Sequence, residues 1–273
     1  MAREIHDHFF HKAKDQGYRS RAAFKLIEID DKKNILRKGD YVLDAGCAPG
    51  SWLQVVASRV VTKKGKGLVV GIDLQAVEDN FKEENIHLVQ GDFTTIPIEE
   101  LYAPFANEDQ NNDSNTDLGS RGFRGFDVLL SDMAPSTTGD RACDHHASIR
   151  LCNALLDRCG ELLRPPESQI SSSDSGGERS GGGNPGGNLV IKVFEGEAYS
   201  ELLQKARSMF TKVKGFSPQA SRSESTEIYL IAHGFKGVKV DPVITSSEGQ
   251  DSDQAIPLPR RKPSKGWGED DQS

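Results

Sequence analysis

The sequence predicts a doubly wound α/β domain with a mostly parallel central sheet and helices on both faces. Short β-branched and aliphatic runs alternate with segments of helical periodicity along most of the chain. The runs are continuously apolar, which is typical of parallel strands buried on both faces. Because crossovers between parallel strands are right-handed, this alternation favours a doubly wound arrangement.

The predicted elements follow one another in a regular order. Strands are expected at YVLDA (41–45), GLVVGID (67–73), IHLVQ (86–90), FDVLLSD (126–132), NLVIKVF (188–194) and TEIYLIA (226–232). Helices are expected at 52–61, 145–163 and 199–210, each of them following a strand.

Two polar stretches interrupt this pattern, near 105–120 and 167–187. They are rich in Asn, Asp, Ser and Gly and cannot bury enough apolar surface to offset the entropy of ordering, so they are interpreted as loop insertions. After Val240 the chain becomes rich in Ser, Pro and Asp. We therefore expect one folded domain over 1–240 and a disordered tail over 241–273.

The net charge of −7 over 273 residues does not exclude a nucleic-acid partner. The two insertions and the tail together hold nine more acidic than basic residues, which leaves the remainder of the chain at +2. No apolar run approaches the roughly 20 residues needed to span a bilayer, and the first residues lack an apolar leader. We expect a cytoplasmic protein without a membrane partner.

The four cysteines do not form a CxxC pair. A zinc site is the alternative that their neighbourhood raises, with the candidate ligands Cys143, His145, His146, Cys152 and Cys159. Paired ligand spacing is missing, however, and Cys152 and Cys159 are seven residues apart on a predicted helix. We interpret these two as small apolar residues on one buried face and predict no metal.

Acidic residues and a glycine-rich turn follow three successive strands. The first strand runs into Asp44-Ala-Gly46-Cys-Ala-Pro-Gly50-Ser-Trp52, the second ends in Asp73, and the third is followed by Asp92. A glycine turn lets a ligand approach the backbone, and an acid after the second strand can accept ribose hydroxyls. The order predicts an adenosine-containing cofactor, with turn and helix capping by these acids as the alternative.

A second group of charged residues lies at or near other strands. Lys192 lies inside an apolar strand, Asp132 ends the fourth strand, Glu227 begins the last, and Lys25 follows a basic N-terminal segment. Burying a lysine ammonium is costly unless it is paired or deprotonated. A lysine with a lowered pKa can act as a general base, and Asp132 and Glu227 would orient it while opposing that shift.

Several segments resemble the RrmJ/FtsJ family of RNA ribose 2′-O-methyltransferases. The resemblance covers about residues 9–236 and is carried by RSRAAFKL, DAGCAPGSW, SDMAP, KVFEGE and ASRSESTEIYLIA. It implies a Rossmann-like fold, S-adenosylmethionine as cofactor, and a Lys-Asp-Lys-Glu tetrad at Lys25, Asp132, Lys192 and Glu227. The candidate cofactor-binding residues are Asp44, Gly46, Gly50, Trp52, Asp73, Asp92 and Asp132.

Within the family, the chain resembles most the bacterial enzymes that methylate a uridine ribose of 23S ribosomal RNA in the large subunit. RNA is thus the expected partner of a monomeric enzyme. Residues 1–25 hold six Lys or Arg against three acids, and the candidate phosphate contacts are Lys12, Lys14, Arg19, Arg21 and Arg222. An ordinary solvated helix face is the alternative interpretation of this segment.

Other functions fit the sequence less well. A nicotinamide-dependent enzyme is disfavoured because the GxGxxG pattern is absent, and a cytosine-5 methyltransferase because no cysteine follows Pro135. An amino-nitrogen methyltransferase would need an aromatic residue after that motif. A transfer-RNA 2′-O-methyltransferase and a non-catalytic RNA- or ribosome-binding module of the same fold stay open.

Overall fold

The alternation of strands and helices in the sequence corresponds to the architecture of the protein. The computed structural model describes residues 2–63, 65–78, 80–81, 85–106, 124–167, 185–221 and 226–237. The strands are β1 (Tyr41–Ala45), β2 (Leu68–Asp73), β3 (Ile86–Gln90), β4 (Val128–Ser131), β5 (Asn188–Phe194), β6 (Phe210–Phe216) and β7 (Glu227–Phe235). The helices are α1 (Ala2–Asp15), α2 (Ala22–Lys33), α3 (Ser51–Val60), α4 (Ile98–Ala106), α5 (Arg141–Leu162) and α6 (Tyr199–Met209).

The strands form one sheet in the order β3-β2-β1-β4-β5-β7-β6. The pairs β3–β2, β2–β1, β1–β4 and β4–β5 are parallel, whereas β7 runs antiparallel to both β5 and β6. The predicted mostly parallel sheet is therefore confirmed. The chain leaves β1 toward β2 on one side and reaches β4 on the other, so the strand order reverses between β1 and β4.

Each face of the sheet is covered by its own helices. Apolar residues of α4, α5 and α6 pack in one cluster, and those of α2 and α3 pack in another. Along β1, Leu43 faces the first cluster and Val42 the second. This burial on both faces explains why the strands are continuously apolar in sequence. The two cysteines Cys152 and Cys159 are buried in the first cluster, as predicted.

Strand β6 is the strand that the sequence interpretation missed. Its inward-facing apolar residues are Phe210 and Val213, and Lys212 and Lys214 are exposed. Together with Ala206 and Met209, this three- to four-residue spacing continues the helical pattern of α6 and hides the strand. Exposed lysines on an edge strand also prevent pairing with another chain.

The N-terminal segment and the first insertion also differ from expectation. Helices α1 and α2 occupy much of the basic N-terminal segment, for which the sequence offered a helix face only as the alternative to an RNA-contacting arm. Phe105 was assigned to the first insertion, but it is buried against Tyr41 and Phe126 at the end of α4. The rest of this insertion up to residue 120, most of the second one and the predicted tail lie outside the described residues. Among the described helices, none is long and apolar enough to cross a membrane.

Candidate active site

The candidate site lies at the carboxyl edge of the sheet, where β1 and β4 are neighbours. In open α/β sheets, ligands bind outside the carboxyl ends of the strands at the point where the strand order reverses. β1 pairs with β4 up to Ala45 opposite Ser131. The turn after Ala45 and the carboxylate of Asp132 therefore lie side by side.

The turn after β1 requires glycine at two positions. Gly46 has a φ of 80°, and a Cβ atom there would lie 2.9 Å from the backbone of Met133. Gly50 has a φ of 104° and directly precedes α3. A side chain at either position would be strained, and its Cβ would collide with Met133 at position 46 or with Arg19 and Phe81 at position 50. The two glycines thus let these residues pack directly against the turn after β1, which we call the cradle.

Asp44 lies beneath this cradle, and its carboxyl group is fully buried without a hydrogen-bond partner for either oxygen among the described residues. Burial, followed by the negative charges of Asp132 and Asp73, raises its pKa well above the usual value. A buried carboxylate without a partner is costly, so it marks a place where a donor or a cation is missing.

Asp73 and Asp92 follow the ends of β2 and β3. Asp73 accepts hydrogen bonds from the backbone N–H groups of Ala48 (3.0 Å) and Gln75 (2.8 Å), so it ties the glycine turn to the end of β2. Asp92 is exposed, and the hydroxyl and backbone N–H of Thr94 lower its pKa. Both acids thus cap turns, the alternative weighed from sequence, while they lie along the same edge of the sheet.

Arg19 closes the outer side of the cradle, and its internal contacts were not foreseen. Its guanidinium donates to the carbonyl oxygens of Pro49 (2.8 Å) and Glu78 (2.7 Å) and to the side-chain oxygen of Asn80. It also stacks on Phe81, 4.1 Å from the ring centroid. The residue that was grouped with the phosphate contacts therefore joins the glycine turn to the loop after β2.

Lys192 and Asp132 form the first ion pair of the candidate site. The Lys192 ammonium lies 3.0 Å from Oδ1 of Asp132 and donates to the Asp132 carbonyl oxygen at 2.5 Å. The two side chains are only 10% and 19% exposed. The lysine in the apolar strand is therefore paired, which meets the energetic requirement for burying it.

Lys25 and Glu227 form the second ion pair. Their side chains meet at 2.5 Å and are 11% and 10% exposed. Oε1 of Glu227 also accepts from the Ser221 hydroxyl at 2.6 Å. Burial raises the pKa of Glu227, but Lys25 and the Ser221 hydroxyl more than offset it, so the pKa is lower than normal. Lys192 adds to this lowering, which indicates that the two pairs share one electrostatic environment.

Tyr229 connects the two pairs and was not among the sequence candidates. Its hydroxyl donates to Oδ1 of Asp132 at 2.8 Å, and the Lys25 ammonium lies 6.0 Å from its ring centroid. Burial and the charges of Asp132 and Glu227 raise the pKa of Tyr229 well above normal, so the phenol stays protonated. The sequence signal that could have found Tyr229 is its position two residues after Glu227, because residues two apart in a strand face the same side of the sheet.

The remaining sequence candidates are placed differently. Trp52 is only 2% exposed, donates from its indole N–H to the Ala22 carbonyl and packs against Tyr229, so it lies in the core beneath the site. On the N-terminal segment, the Lys12 ammonium lies 4.8 Å from the ring centroid of Phe24. Arg222 lies outside the described residues.

The zinc candidate His145 has a different function in the structure. Its Nδ1 lies 2.7 Å from the carbonyl oxygen of Phe194, and its Nε2 accepts from the backbone N–H of Ala198 at 3.1 Å. Both ring nitrogens are thus occupied by backbone groups. No cluster of three or more metal-ligating side chains occurs among the described residues.

Fold and site together define the class of protein. A seven-stranded sheet of this order, with a glycine turn after β1 and acids at the carboxyl ends of β1, β2 and β4, agrees with the class that the sequence resemblance implies, the Rossmann-like, S-adenosylmethionine-dependent methyltransferases. The residues present fit this cofactor. The acidic groups of Asp44, Asp73 and Asp132 lie near enough to interact with one another at the cradle, and a sulfonium and an ammonium group are the charges that three neighbouring acids would attract.

Comparison with known proteins gives the family. Residues 18–235 match the model of the FtsJ-like methyltransferases, and the chain belongs to that family. The Ribosomal RNA large subunit methyltransferase E of Methanosarcina acetivorans is 37% identical over 237 residues, covering 86% of this chain and 71% of that protein. The protein of the same name from Bartonella bacilliformis is also 37% identical over 237 residues, covering 87% and 83%.

A solved structure is also similar. The crystal structure of a protein from Plasmodium falciparum, assigned as a ribosomal RNA methyltransferase, aligns with a TM-score of 0.59 at 27% identity. The alignment covers 81% of this chain and 100% of that one. The family and the predicted fold are therefore confirmed, and the chain is a methyltransferase that uses S-adenosylmethionine.

Proposed function

We propose that the protein transfers a methyl group from S-adenosylmethionine to a ribose 2′-hydroxyl of large-subunit ribosomal RNA, with a uridine as the target. The observation that carries this proposal is the buried pair of Lys192 and Asp132, 3.0 Å apart beside the cofactor cradle. The curated relatives support the substrate, because those with 33–37% identity are named large-subunit ribosomal RNA methyltransferases.

In the proposed reaction, bound S-adenosylmethionine would supply an electrophilic methyl group, and its sulfur would leave as a neutral thioether when the bond to the methyl carbon breaks. The attacking 2′-hydroxyl must lose its proton as the new oxygen–carbon bond forms. Lys192, as the neutral amine, would accept that proton at Nζ, with Asp132 holding the amine in place and stabilising the ammonium that results. Positioning of the hydroxyl contributes much of the rate in such an in-line displacement.

The second ion pair has a separate proposed role. The Lys25 ammonium, held by Glu227, adds a second positive charge to the electrostatic environment that Glu227 shares with Lys192. An alternative role for the tetrad is electrostatic steering of the hydroxyl, with proton loss to water, and a Lys192→Arg variant distinguishes the two.

The cofactor would be held by the acids and glycines of the cradle. We assign the ribose hydroxyls to Asp73, the adenine amino group to Asp92 and the ammonium of the methionine part to Asp44. Gly46 and Gly50 allow the backbone to approach. Trp52 is left out of this set because it is buried in the core.

RNA would approach over the N-terminal helices. Lys12 and Lys14 lie in the last turn of α1, and α2 carries Lys25 into the site. Cations beside the tetrad can hold phosphates and fix the register of the RNA without reading bases. We further propose that the protein is a monomer and acts in the cytoplasm. Light scattering on the purified protein would test the oligomeric state, and we expect a mass near 29.9 kDa.

The test is methyl transfer from radiolabelled S-adenosylmethionine to three acceptors: large ribosomal subunits lacking ribose methylation, protein-free ribosomal RNA and transfer RNA. Digestion to nucleosides and mass spectrometry would identify the product. We expect 2′-O-methyluridine from the ribosomal acceptors. Preferred labelling of transfer RNA would instead support the alternative substrate, and RNA or ribosome binding without methyl transfer would support a non-catalytic module.

A further inference from the structure

Helix α5 has an unusual polar stripe on its buried side. His145, Ser148 and Cys152 are 3%, 3% and 1% exposed, and their spacing of three and four residues places them on one face of the helix. Buried polar groups are retained where they satisfy hydrogen bonds that apolar residues cannot make. This stripe faces the end of β5, the strand that carries Lys192.

The end of β5 extends past its neighbour β4. Pairing between β4 and β5 ends at Ser131 opposite Ile191, whereas pairing between β5 and β7 continues to Phe194 opposite Glu227. The residues from Lys192 to Phe194 therefore have a strand on one side only. Buried backbone groups on the open side need other partners.

The polar stripe supplies these partners. The backbone N–H of Phe194 donates to the Ser148 hydroxyl at 3.1 Å, and Nδ1 of His145 contacts the Phe194 carbonyl oxygen at 2.7 Å. The Cys152 thiol donates to the Lys192 carbonyl oxygen at 3.4 Å. Burial raises the pKa of Cys152 to about 12, so the thiol keeps the proton that this bond needs. Side chains of α5 thus take the place of the missing strand.

The bonding pattern of His145 fixes its tautomer. Since Nε2 accepts from the Ala198 N–H, Nδ1 must carry the proton that it donates to the Phe194 carbonyl. Gly196 lies directly against the ring, since a Cβ there would be 2.4 Å from a ring carbon. The imidazole therefore joins the end of β5 to the loop that leads into α6.

We infer that Ser148, His145 and Cys152 are positioning residues, which hold the overhanging end of β5 so that Lys192 meets Asp132. This inference rests on the proposed function of Lys192. The ammonium reaches the Asp132 carbonyl oxygen at 2.5 Å, so a small shift of the strand changes that contact. A misplacement of about 1 Å near reacting atoms can cost roughly 100-fold in rate.

The structure offers a matched pair of variants for the test. Cys152 and Cys159 are both buried on α5, but the Cys159 thiol bonds within its own helix, to the Leu155 carbonyl. We expect Cys152→Ala to lower kcat for methyl transfer to large ribosomal subunits about 10-fold, with the KM for S-adenosylmethionine unchanged. Cys159→Ala should keep kcat within about twofold of the wild-type value, although it should lose about as much thermal stability as Cys152→Ala.

Ser148→Ala should lower kcat by at least as much as Cys152→Ala and should speed amide hydrogen exchange at Phe194. Cys152→Ser should restore most of the rate because a hydroxyl can donate to the same carbonyl. Equal kcat in Cys152→Ala and Cys159→Ala, or a loss of stability in Ser148→Ala without a change in kcat, would overturn the inference. A wild-type protein without methyl transfer would instead refute the proposed function, and the exchange measurement does not depend on turnover.

Discussion

The two halves of the candidate site differ in how complete they are within the protein itself. In the half formed by β4, β5 and β7, Lys192 is paired with Asp132 and Lys25 with Glu227. In the half formed by β1 to β3, the buried carboxylate of Asp44 has no hydrogen-bond partner among the described residues. The described residues therefore pair the proposed catalytic groups with one another, whereas we expect a bound ligand to supply the partner that Asp44 lacks among them.

This contrast predicts that the catalytic half can be damaged without affecting the cofactor half. Lys192→Ala should keep the affinity for S-adenosylmethionine but lower methyl transfer about 10²–10⁴-fold, the range expected for loss of a general base. Calorimetry and single-turnover transfer measure the two effects separately.

Lys192→Arg sharpens the same test, because a guanidinium stays protonated and cannot accept the proton. The wild-type rate should rise with pH through an ionisation that Lys192→Ala lacks. If Lys192→Arg retained near-native rates, proton transfer to Lys192 would be wrong and electrostatic steering by the tetrad would replace it.

The reverse separation is expected in the cofactor half. Asp73→Ala removes the proposed ribose contacts and the bond to the Ala48 N–H, so cofactor binding should weaken by about 1–3 kcal/mol. Asp73→Asn is the control, since its amide oxygen can still accept from Ala48. Unchanged affinity in calorimetry of Asp73→Ala would remove this residue from the site.

Asp44 provides a test in which stability and binding change in opposite directions. Because its pKa in the folded protein is raised above the ordinary 3.8, the carboxyl lowers stability increasingly as pH rises above that value. Asp44→Asn removes the ionisable group. It should raise the melting temperature of the cofactor-free protein at pH 7 by several degrees, which corresponds to a gain of about 1–2 kcal/mol in the free energy of unfolding. Its affinity for the cofactor should fall.

The gain in stability of Asp44→Asn should shrink as the pH is lowered toward and below 4, where the carboxyl of the native protein becomes protonated in the unfolded state as well as in the folded state. A variant that is less stable than the native protein at every pH would show that Asp44 is already stabilised by the fold. Melting temperatures measured from pH 4 to 8 decide between these outcomes.

The sequence predicted most of the sheet because buried parallel strands leave a strong apolar signal. The acids and glycines of the cradle were found because each one lies at or just after the carboxyl end of a strand. Strand β6 was missed because Phe210 and Val213 continue the apolar spacing of α6. Local sequence cannot distinguish that edge strand from another helical turn.

Contacts between segments far apart in the chain could not be predicted from the sequence. Arg19 was grouped with the phosphate contacts because it lies in a basic segment. Its stacking on Phe81 could not be predicted, since the two residues are 62 positions apart. Trp52 was grouped with the cofactor because it follows the glycine turn, yet its ring points into the core. The polar stripe of α5 invited a zinc interpretation, because its partners are backbone groups of β5 that carry no sequence signal.

A smaller effect is expected from the ion pair of Lys25 and Glu227. Since the pKa of Glu227 is lowered in the folded protein, the pair stabilises it above the ordinary pKa of 4.5, and this stability is lost as pH falls through the lowered pKa. The double variant Lys25→Met/Glu227→Gln should be within about 1 kcal/mol of the native protein at pH 7.

Urea titrations of this double variant should show a weaker dependence of stability on pH below 5. Glu227→Gln alone should be less stable than the double variant, because it leaves the buried ammonium without its carboxylate. A double variant as unstable as the sum of both single variants would show that the two charges do not act as a pair.

The smallest effect is expected outside both halves of the site, in the polar insertions. Replacing 107–120 or 168–184 with a short Gly/Ser bridge should leave the melting temperature nearly unchanged, because loop-closure entropy changes by only about 0.6 kcal/mol per doubling of length. The sheet next to them is held independently: Arg164 pairs with Asp127 at 2.7 Å, and Phe105 packs on Phe126. Deletion starting at 105 instead of 107 is the matched control, since it removes that buried ring and should destabilise the protein by about 3–5 kcal/mol. Equal melting temperatures for the two deletions, or insoluble protein from the shorter one, would show that the boundary between core and insertion is misplaced.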